Sequence, residues 1–413
     1  AAPGAGFAET REYIGQGTKE PLPPVWERIL WHLYDATDYA LNFYGLPVVA
    51  YSGEIDPQKQ AATVMSREME KDGLRLTHII GPQTAHKYHP DSIPEINHRV
   101  DAIVRRGRQE LPLSVRFTTF TLKYNQMAWL QIDGLEKHWE RATVKADLGE
   151  VVSLRTVNVS ALTLNVQAGL WPFPQDRTPT VAIDGQTLPG PHVESDRSWK
   201  AFLVKKNGKW SLSETQGIQG LVKKHDLQGP IDDAFMGSFL FVRPTGKAYT
   251  EAGANWVRAE LDHATSQWRS QFRGEVRIKD DISVTAEDIA RHNLVLWGDP
   301  SSNRLIARVI SGLPLAWSDT AMAIGGASFD PTNSVPVLIY PNPLNPQKYI
   351  VINSGFTFRE PDYLSNARQT PKLPDWAILD ISGQRAPYTA GRVLGAGFFD
   401  EVWKPLPPLR DQR

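Results

Sequence analysis

The spacing of apolar residues changes twice along the chain and divides it into three regions. In residues 1–110, short apolar runs alternate with helical patterns. Residues 111–225 contain many short runs in which apolar and polar positions alternate, which predicts strands. Residues 226–413 return to alternating strand and helix patterns. We therefore expect an α/β protein made of a partial α/β domain, an antiparallel β-sandwich-like module and a second α/β domain with a mostly parallel sheet.

The most informative stretch lies in the first region. Pro47–Gly53 and Leu76–Gly81 are apolar runs typical of parallel strands buried on both faces. Between them, residues 57–71 show apolar positions at helical spacing, which predicts a crossover helix. Asp56 follows the first run and His86 follows the second. Because the carboxyl ends of parallel strands share one edge of the sheet, we expect these two side chains to meet there.

Turn signals mark the middle region as antiparallel. Asp184-Gly185 and Asn207-Gly208 separate pairs of alternating runs and predict tight hairpins, and Asp133-Gly134 predicts another turn. The tryptophans of this region are interpreted as core residues, with exposed sugar- or polymer-binding rings as the alternative.

The last region is expected to contain a long helix over residues 250–273. Its strands are predicted at Asn293–Trp297, Val335–Tyr340 and Tyr349–Ser354, among others. Alternation of this kind predicts a mostly parallel sheet with helices on both faces.

Composition narrows the function. The formal net charge of −1 argues against general nucleic-acid binding, which needs an excess of basic residues. No apolar run approaches the length of a membrane span. Cysteine is absent, and the histidines show no metal-ligand spacing, so neither a cofactor nor a metal is expected. The chain opens on Ala rather than Met, which predicts a processed or truncated start.

Asp56 and His86 are the candidate catalytic residues. A histidine that acts as general base needs one ring nitrogen on the nucleophile and the other oriented by a carboxylate. The alternatives are Glu54, earlier in the first turn, and His89, three residues after His86. The structural alternative to a catalytic role is that Asp56 and His86 only cap their strands.

The pattern Ser-Gly-Glu-Ile-Asp-Pro, then a helix, then Gly-Pro-x-x-x-His resembles the last third of an α/β-hydrolase domain of the prolyl oligopeptidase type. More closely, it resembles the long bacterial serine peptidases of that family. The resemblance covers residues 1–108 and implies a triad in the order Ser, Asp, His, with Asp56 as the acid and His86 as the histidine. It also implies that the helix at Ser92–Arg106 is the last helix of the hydrolase domain.

The sequence contains no Gly-x-Ser-x-Gly motif. The resemblance therefore implies that the serine lies upstream of Ala1, on a segment that would be a partner of this chain. It also implies a peptide or ester substrate, and it favours a periplasmic or secreted location. The residues themselves indicate no compartment.

Two other stretches carry weaker signals. Gly298–Asn303 joins a strand to a helix, where backbone N–H groups favour anions, and Ser301 or Ser302 could be interpreted as a nucleophile. Simple helix capping is the preferred interpretation. Lys223-Lys224-His225 is interpreted as a solvated basic turn.

The leading hypothesis is a serine hydrolase, a peptidase or a carboxylic-ester hydrolase, whose serine is supplied from outside these residues. The alternative is a non-catalytic module derived from a hydrolase that binds a polymer or a partner. The residues that precede Ala1 would discriminate the two, because a strand followed by Gly-x-Ser-x-Gly supports the enzyme.

Overall fold

The computed structural model describes residues 1–15, 22–358, 369–383 and 389–410. The chain divides into two compact units, Ala1–Glu20 with Trp31–Gln219 and Pro21–Leu30 with Gly220–Arg413. The fold has mixed α/β content, with several sheets whose strands are mostly antiparallel. The α-helices are α1 (Thr10–Gly15), α2 (Val25–Leu30), α3 (Lys59–Lys71), α4 (Ser92–Arg106), α5 (Glu251–Phe272), α6 (Ala286–Arg291) and α7 (Arg304–Val309). Short 3₁₀ helices lie at Trp31–Leu33, Ala36–Gly45, Leu122–Tyr124, Ile231–Phe235, Asp281–Ser283 and Ile310–Gly312.

The first unit begins with the predicted strand–helix–strand arrangement. Strands β1 (Val49–Gly53) and β2 (Thr77–Gly81) pair in parallel, and α3 connects them. Every residue of β1 is buried, as expected. By contrast, β2 is only partly covered, and Ile80 is exposed. The expectation that both faces of this strand are covered was therefore wrong, and among the described residues β2 is also an edge strand that pairs only with β1.

The second edge of β1 is occupied by the beginning of the chain. Gly4 bridges Tyr51 in parallel orientation. The N–H of Tyr51 donates to Pro3 O and the N–H of Ala5 donates to Tyr51 O, each at 3.0 Å. Residues 1–5 therefore occupy the edge of β1, where the hydrolase resemblance would place the upstream serine-bearing segment.

The remainder of the first unit is a β-sandwich. One sheet has the order β10-β9-β7-β6-β3 and the other β12-β11-β8-β5-β4. All pairings are antiparallel except that of β7 with β9, and apolar residues of both sheets form one core. The strands are β3 (Ser114–Thr119), β4 (Gln126–Met127), β5 (Leu130–Leu135), β6 (Ala142–Asp147), β7 (Val151–Val157), β8 (Val159–Val166), β9 (Thr180–Ile183), β10 (Gln186–Pro189), β11 (Trp199–Lys206) and β12 (Lys209–Ser213).

Of the three turns predicted in the sandwich, the two hairpins are confirmed. Asp184-Gly185 and Asn207-Gly208 connect consecutive strands, and both residues of each pair have positive φ. Asp133-Gly134, however, lies inside β5, where the register shifts against β8. A Cβ at Gly134 would approach Ser160 Oγ to 2.7 Å, so the glycine allows a close approach within a bulge rather than a turn.

The second unit is built on a seven-stranded sheet of order β14-β13-β15-β20-β19-β21-β22. A small antiparallel sheet of β16, β17 and β18 accompanies it. The strands are β13 (Phe239–Arg243), β14 (Ile278–Asp280), β15 (Asn293–Leu296), β16 (Ala316–Trp317), β17 (Met322–Ile324), β18 (Ala327–Phe329), β19 (Ser334–Asn342), β20 (Asn345–Ile352), β21 (Trp376–Asp380) and β22 (Arg392–Gly397).

The sheet of the second unit is mixed, not mostly parallel. The pairings among β14, β13, β15 and β20 are parallel, and those among β20, β19, β21 and β22 are antiparallel. The difference arises between Asn342 and Asn345, where two residues connect β19 to β20. A connection this short permits only a hairpin, since a parallel pair needs a crossover of a dozen or more residues.

Lys223 is not part of a solvated turn. Its ammonium is fully buried and lies 2.8 Å from Asp375 Oδ2, whose side chain is fully buried too. The same carboxylate oxygen accepts the N–H of Phe399 at 2.9 Å. The interpretation of the Lys223-Lys224-His225 stretch as solvated was wrong at Lys223, because its carboxylate partner lies 152 positions away in the sequence.

Candidate functional site

Two loops emerge side by side from the carboxyl ends of β1 and β2. The parallel register pairs the last residues of the two strands, Gly53 and Gly81. The loop after β1 leads into α3 and carries Asp56, and the loop after β2 leads into α4 and carries His86. The expectation that the strand edge brings these two loops together is therefore confirmed.

His86 and Asp56 form a direct hydrogen bond. The distance from His86 Nδ1 to Asp56 Oδ2 is 2.9 Å. Since a carboxylate only accepts, Nδ1 donates in this contact, and no hydrogen bond to Nε2 is found among the described residues. The Asp56 side chain is 1% exposed and the His86 side chain is 65% exposed. A buried acid thus orients an imidazole whose other nitrogen is available to a reacting group.

The acid is held by its own turn. Asp56 Oδ1 accepts the N–H of Gln58 at 2.9 Å, and the N–H of Asp56 donates to Gly53 O at 3.3 Å. Each carboxylate oxygen therefore has one partner, and the orientation that meets His86 is the one that the turn selects.

Backbone hydrogen bonds join the two loops. The N–H of Glu54 donates to Gly81 O at 2.8 Å and that of Ile55 to Thr84 O at 3.1 Å. A Cβ at Gly53 would lie less than 3.0 Å from the carbonyl oxygens of Thr84 and Ala85. Glycine at this position lets the histidine loop cross directly over the end of β1.

Tyr51 fixes the far side of the histidine loop. Its hydroxyl donates to Lys87 O at 3.0 Å and accepts the N–H of His89 at 2.7 Å. Its ring stacks on Tyr88, with centroids 4.6 Å apart. The three residues that follow His86 are therefore attached to a buried side chain of β1.

The two alternative residues make other contacts. Glu54 Oε2 accepts the N–H of Gln83 at 2.7 Å and so supports the histidine loop. His89 Nδ1 accepts the N–H of Asp91 at 3.2 Å. The structure brings Asp56 to His86 and leaves Glu54 and His89 in supporting positions.

The Gly298–Asn303 turn of the second unit is closed by its own residues. Asp299 Oδ1 accepts the N–H groups of Ser301 and Ser302, and Asp299 Oδ2 accepts that of Tyr249. Asn303 caps α7 by accepting from Leu305 and Ile306. The preferred interpretation, helix capping, is confirmed, and the N–H groups that could have bound an anion are taken by a carboxylate.

Two histidine contacts were missed by the sequence reasoning, which noted only that the histidines show no metal-ligand spacing. His78 Nε2 lies 3.0 Å from Ser52 Oγ, but Ser52 is fully buried and cannot reach a substrate. Burial, and to a lesser extent the Lys59 ammonium, lowers the pKa of His78. His32 Nδ1 lies 2.6 Å from Asp38 Oδ2. The first pair could have been found, because both residues lie on the two adjacent apolar runs.

Searches for related proteins found none. No family model, curated protein or solved structure matches the chain. Within the described ranges, His, Asp and Glu side chains form no group of three or more that could hold a metal ion. No helix in this part of the chain has the length and apolar character needed to cross a membrane.

Proposed function

We propose that Asp56 and His86 are the acid and the base of a serine hydrolase that cleaves peptide or carboxylic-ester bonds by acyl transfer. The observation that carries the proposal is the 2.9 Å hydrogen bond between a buried carboxylate and an exposed imidazole. The α/β-hydrolase arrangement that the sequence resembles would account for this pair at the carboxyl edge of two parallel strands.

His86 Nε2 would take the proton of a serine hydroxyl as the serine oxygen bonds to the substrate carbonyl carbon. Asp56 would hold Nδ1–H and stabilise the imidazolium that forms. His86 would then return the proton to the leaving amine or alcohol as its bond to the carbonyl carbon breaks. Water would release the acyl group by the same two steps, with His86 again as base. Peptide and ester cleavage share these steps, so the pair does not select between them.

The serine is the missing partner. Among the described residues, no serine or threonine hydroxyl hydrogen-bonds to the His86 ring. In the Ser, Asp, His order of α/β-hydrolases the nucleophile precedes the acid in the chain. We therefore place the serine on a segment that precedes these 413 residues, attached to them or bound to them.

The test uses a longer polypeptide that includes the preceding segment. We expect His86→Ala and Asp56→Asn each to lower turnover of p-nitrophenyl acetate by about 10²- to 10⁴-fold, because base and orienting acid act together. His89→Ala is the matched control and should be mild, since His89 Nδ1 is engaged with the Asp91 N–H. Equal losses from the His86 and His89 changes would mean that the base is misassigned.

A second measurement concerns the serine. Residues 1–413 alone should neither hydrolyse the ester nor react with a fluorophosphonate, and the longer polypeptide should be labelled on its upstream serine. An adduct within the 413 residues, for example on Ser301, would overturn the proposal. Full activity after both the Asp56 and His86 changes would mean that this pair is not catalytic, and a longer polypeptide without any ester or fluorophosphonate reactivity would favour the non-catalytic binding module.

A further inference from the structure

A large groove crosses the first unit at the amino ends of β1 and β2. It has a volume of about 1830 Å³, and its lining includes Pro47–Val49 and Thr77 from these strand ends. Asp56 and His86 follow the opposite ends of the same strands, about 16 Å away along five residues of strand. The groove is therefore separate from the proposed catalytic pair.

Arginine dominates the charges of the groove. Arg99 is paired with Glu95 at 2.6 Å and Arg116 with Asp147 at 3.0 Å. Arg75, Arg106 and Arg108 are exposed, and no acidic partner is found for them within the described ranges. Besides Glu95, the lining contains one other acidic residue, Glu110. A chain with a formal net charge of −1 thus concentrates positive charge at this place.

One wall of the groove is the edge of a sheet, which the Ala36–Gly45 helix covers at Thr118. Strand β3 is the last strand of its sheet and pairs only with β6 among the described strands. The N–H and C=O of Thr118 point away from β6, because both are hydrogen-bonded to the side chain of Asn42. Along a strand, the backbone N–H and C=O groups of successive residues point to opposite edges. Those of Ser114 and Arg116 therefore point to the same edge as those of Thr118. Both residues line the groove.

The groove also offers apolar contacts. Tyr44, Leu46 and Leu113 line it and are exposed. The Arg116 guanidinium lies 5.2 Å from the centre of the Tyr44 ring. An extended peptide places successive side chains on opposite sides, so one side can meet apolar surface while the other meets charge.

We propose that this groove binds an acidic polypeptide segment in extended conformation, which adds as a strand to the β3 edge beside Ser114 and Arg116. The arginines select negative charge. The unpaired backbone groups select a polypeptide, because strand addition is made by main-chain hydrogen bonds that a nucleic acid cannot supply. This binding does not depend on the proposed hydrolase activity.

The experiment is a fluorescence anisotropy titration of the 413-residue chain with a fluorescein-labelled peptide of alternating glutamate and valine. We expect binding that weakens with salt. Arg106→Glu and Arg108→Glu should each weaken it by about fivefold to tenfold, since an exposed pair is lost and a repulsion is added. Arg155→Glu is the matched control: it is exposed on β7, does not line the groove and changes the charge equally.

Hydrogen exchange with mass spectrometry locates the peptide. The segment containing Ser114 and Arg116 should gain protection when the peptide is added, and the same peptide with lysine in place of glutamate should give none. A labelled single-stranded oligodeoxythymidine that binds more tightly than the acidic peptide would overturn the proposal. Equal losses from the Arg106 and Arg155 changes, or an unprotected β3, would do the same.

Discussion

Gly53→Ala tests the geometry that brings His86 to Asp56. The new methyl group would lie less than 3.0 Å from the carbonyl oxygens of Thr84 and Ala85. These are backbone atoms, so the histidine loop must withdraw by about 1 Å to restore van der Waals separation. Asp56 would not follow, because the Gln58 N–H and Gly53 O hold it.

The withdrawal should break the contact between His86 and Asp56. Adding about 1 Å to the 2.9 Å between His86 Nδ1 and Asp56 Oδ2 exceeds the range of a hydrogen bond. The bond from the Ile55 N–H to Thr84 O, 3.1 Å long, would be lost as well. Overpacking costs about 1–3 kcal/mol and a lost hydrogen bond about 1 kcal/mol more. We therefore expect Gly53→Ala to destabilise the chain by about 2–4 kcal/mol.

Urea denaturation measures this loss, and Gly45→Ala is the matched control. A Cβ at Gly45 meets no atom within 4 Å, so that change should shift stability by less than about 1 kcal/mol. In the longer polypeptide, Gly53→Ala should also lower ester turnover, whereas Gly45→Ala should not. The reasoning is refuted when both variants are equally stable and a crystal structure of Gly53→Ala retains the 2.9 Å contact.

Two further predictions concern buried charge. Burial raises the pKa of Asp35 from 3.8 to about 7. The neutral carboxyl therefore stabilises the fold fully below about pH 4, and this contribution to the free energy of unfolding is lost as pH rises through about 7. Asp35→Asn can still accept from Thr10 and should remove that decline, so the variant should be more stable than the parent at pH 8 by up to about 4 kcal/mol. Urea denaturation across pH measures this difference. An unchanged pH dependence would contradict the prediction. Lys223→Met leaves the Asp375 carboxylate buried without its cation and should cost about 3–5 kcal/mol in the same assay. Lys224→Met is its control and should cost less than about 1 kcal/mol, because the Lys224 ammonium bonds to Gln347 near the surface. Similar losses from the two changes would refute the role of burial.

The candidate site could be predicted because its parts are local in the sequence. The unit consists of three consecutive elements with clear apolar patterns, β1, α3 and β2. In a parallel pair of strands joined by one helix, the loops after both strands emerge at the same edge of the sheet. Asp56 and His86 are 30 positions apart, yet their contact follows from this one unit. The supporting roles of Glu54 and Tyr51 could not be predicted, since they depend on which backbone groups the loops present.

Contacts between distant segments were the ones that sequence patterns did not predict. Nothing around Lys223 indicates the carboxylate of Asp375, and a run of charged residues usually means a solvated turn. The mixed sheet of the second unit was mispredicted because the two residues that connect β19 to β20, Pro343 and Leu344, carry no hairpin turn signal such as Asn-Gly or Asp-Gly. Within β5, Asp133-Gly134 has the composition of a turn but forms part of a β-bulge.

The pairing of β1 constrains how a serine could reach His86. One edge of β1 pairs with β2 and the other with residues 1–5, so no additional strand can pair with β1 itself. A nucleophile-bearing strand would have to pair beside residues 1–5, which run parallel to β1 and have an exposed outer side over most of their length. A parallel strand there would end at the same edge as β1 and β2. A turn after that strand would then place its serine on the side where His86 Nε2 is open.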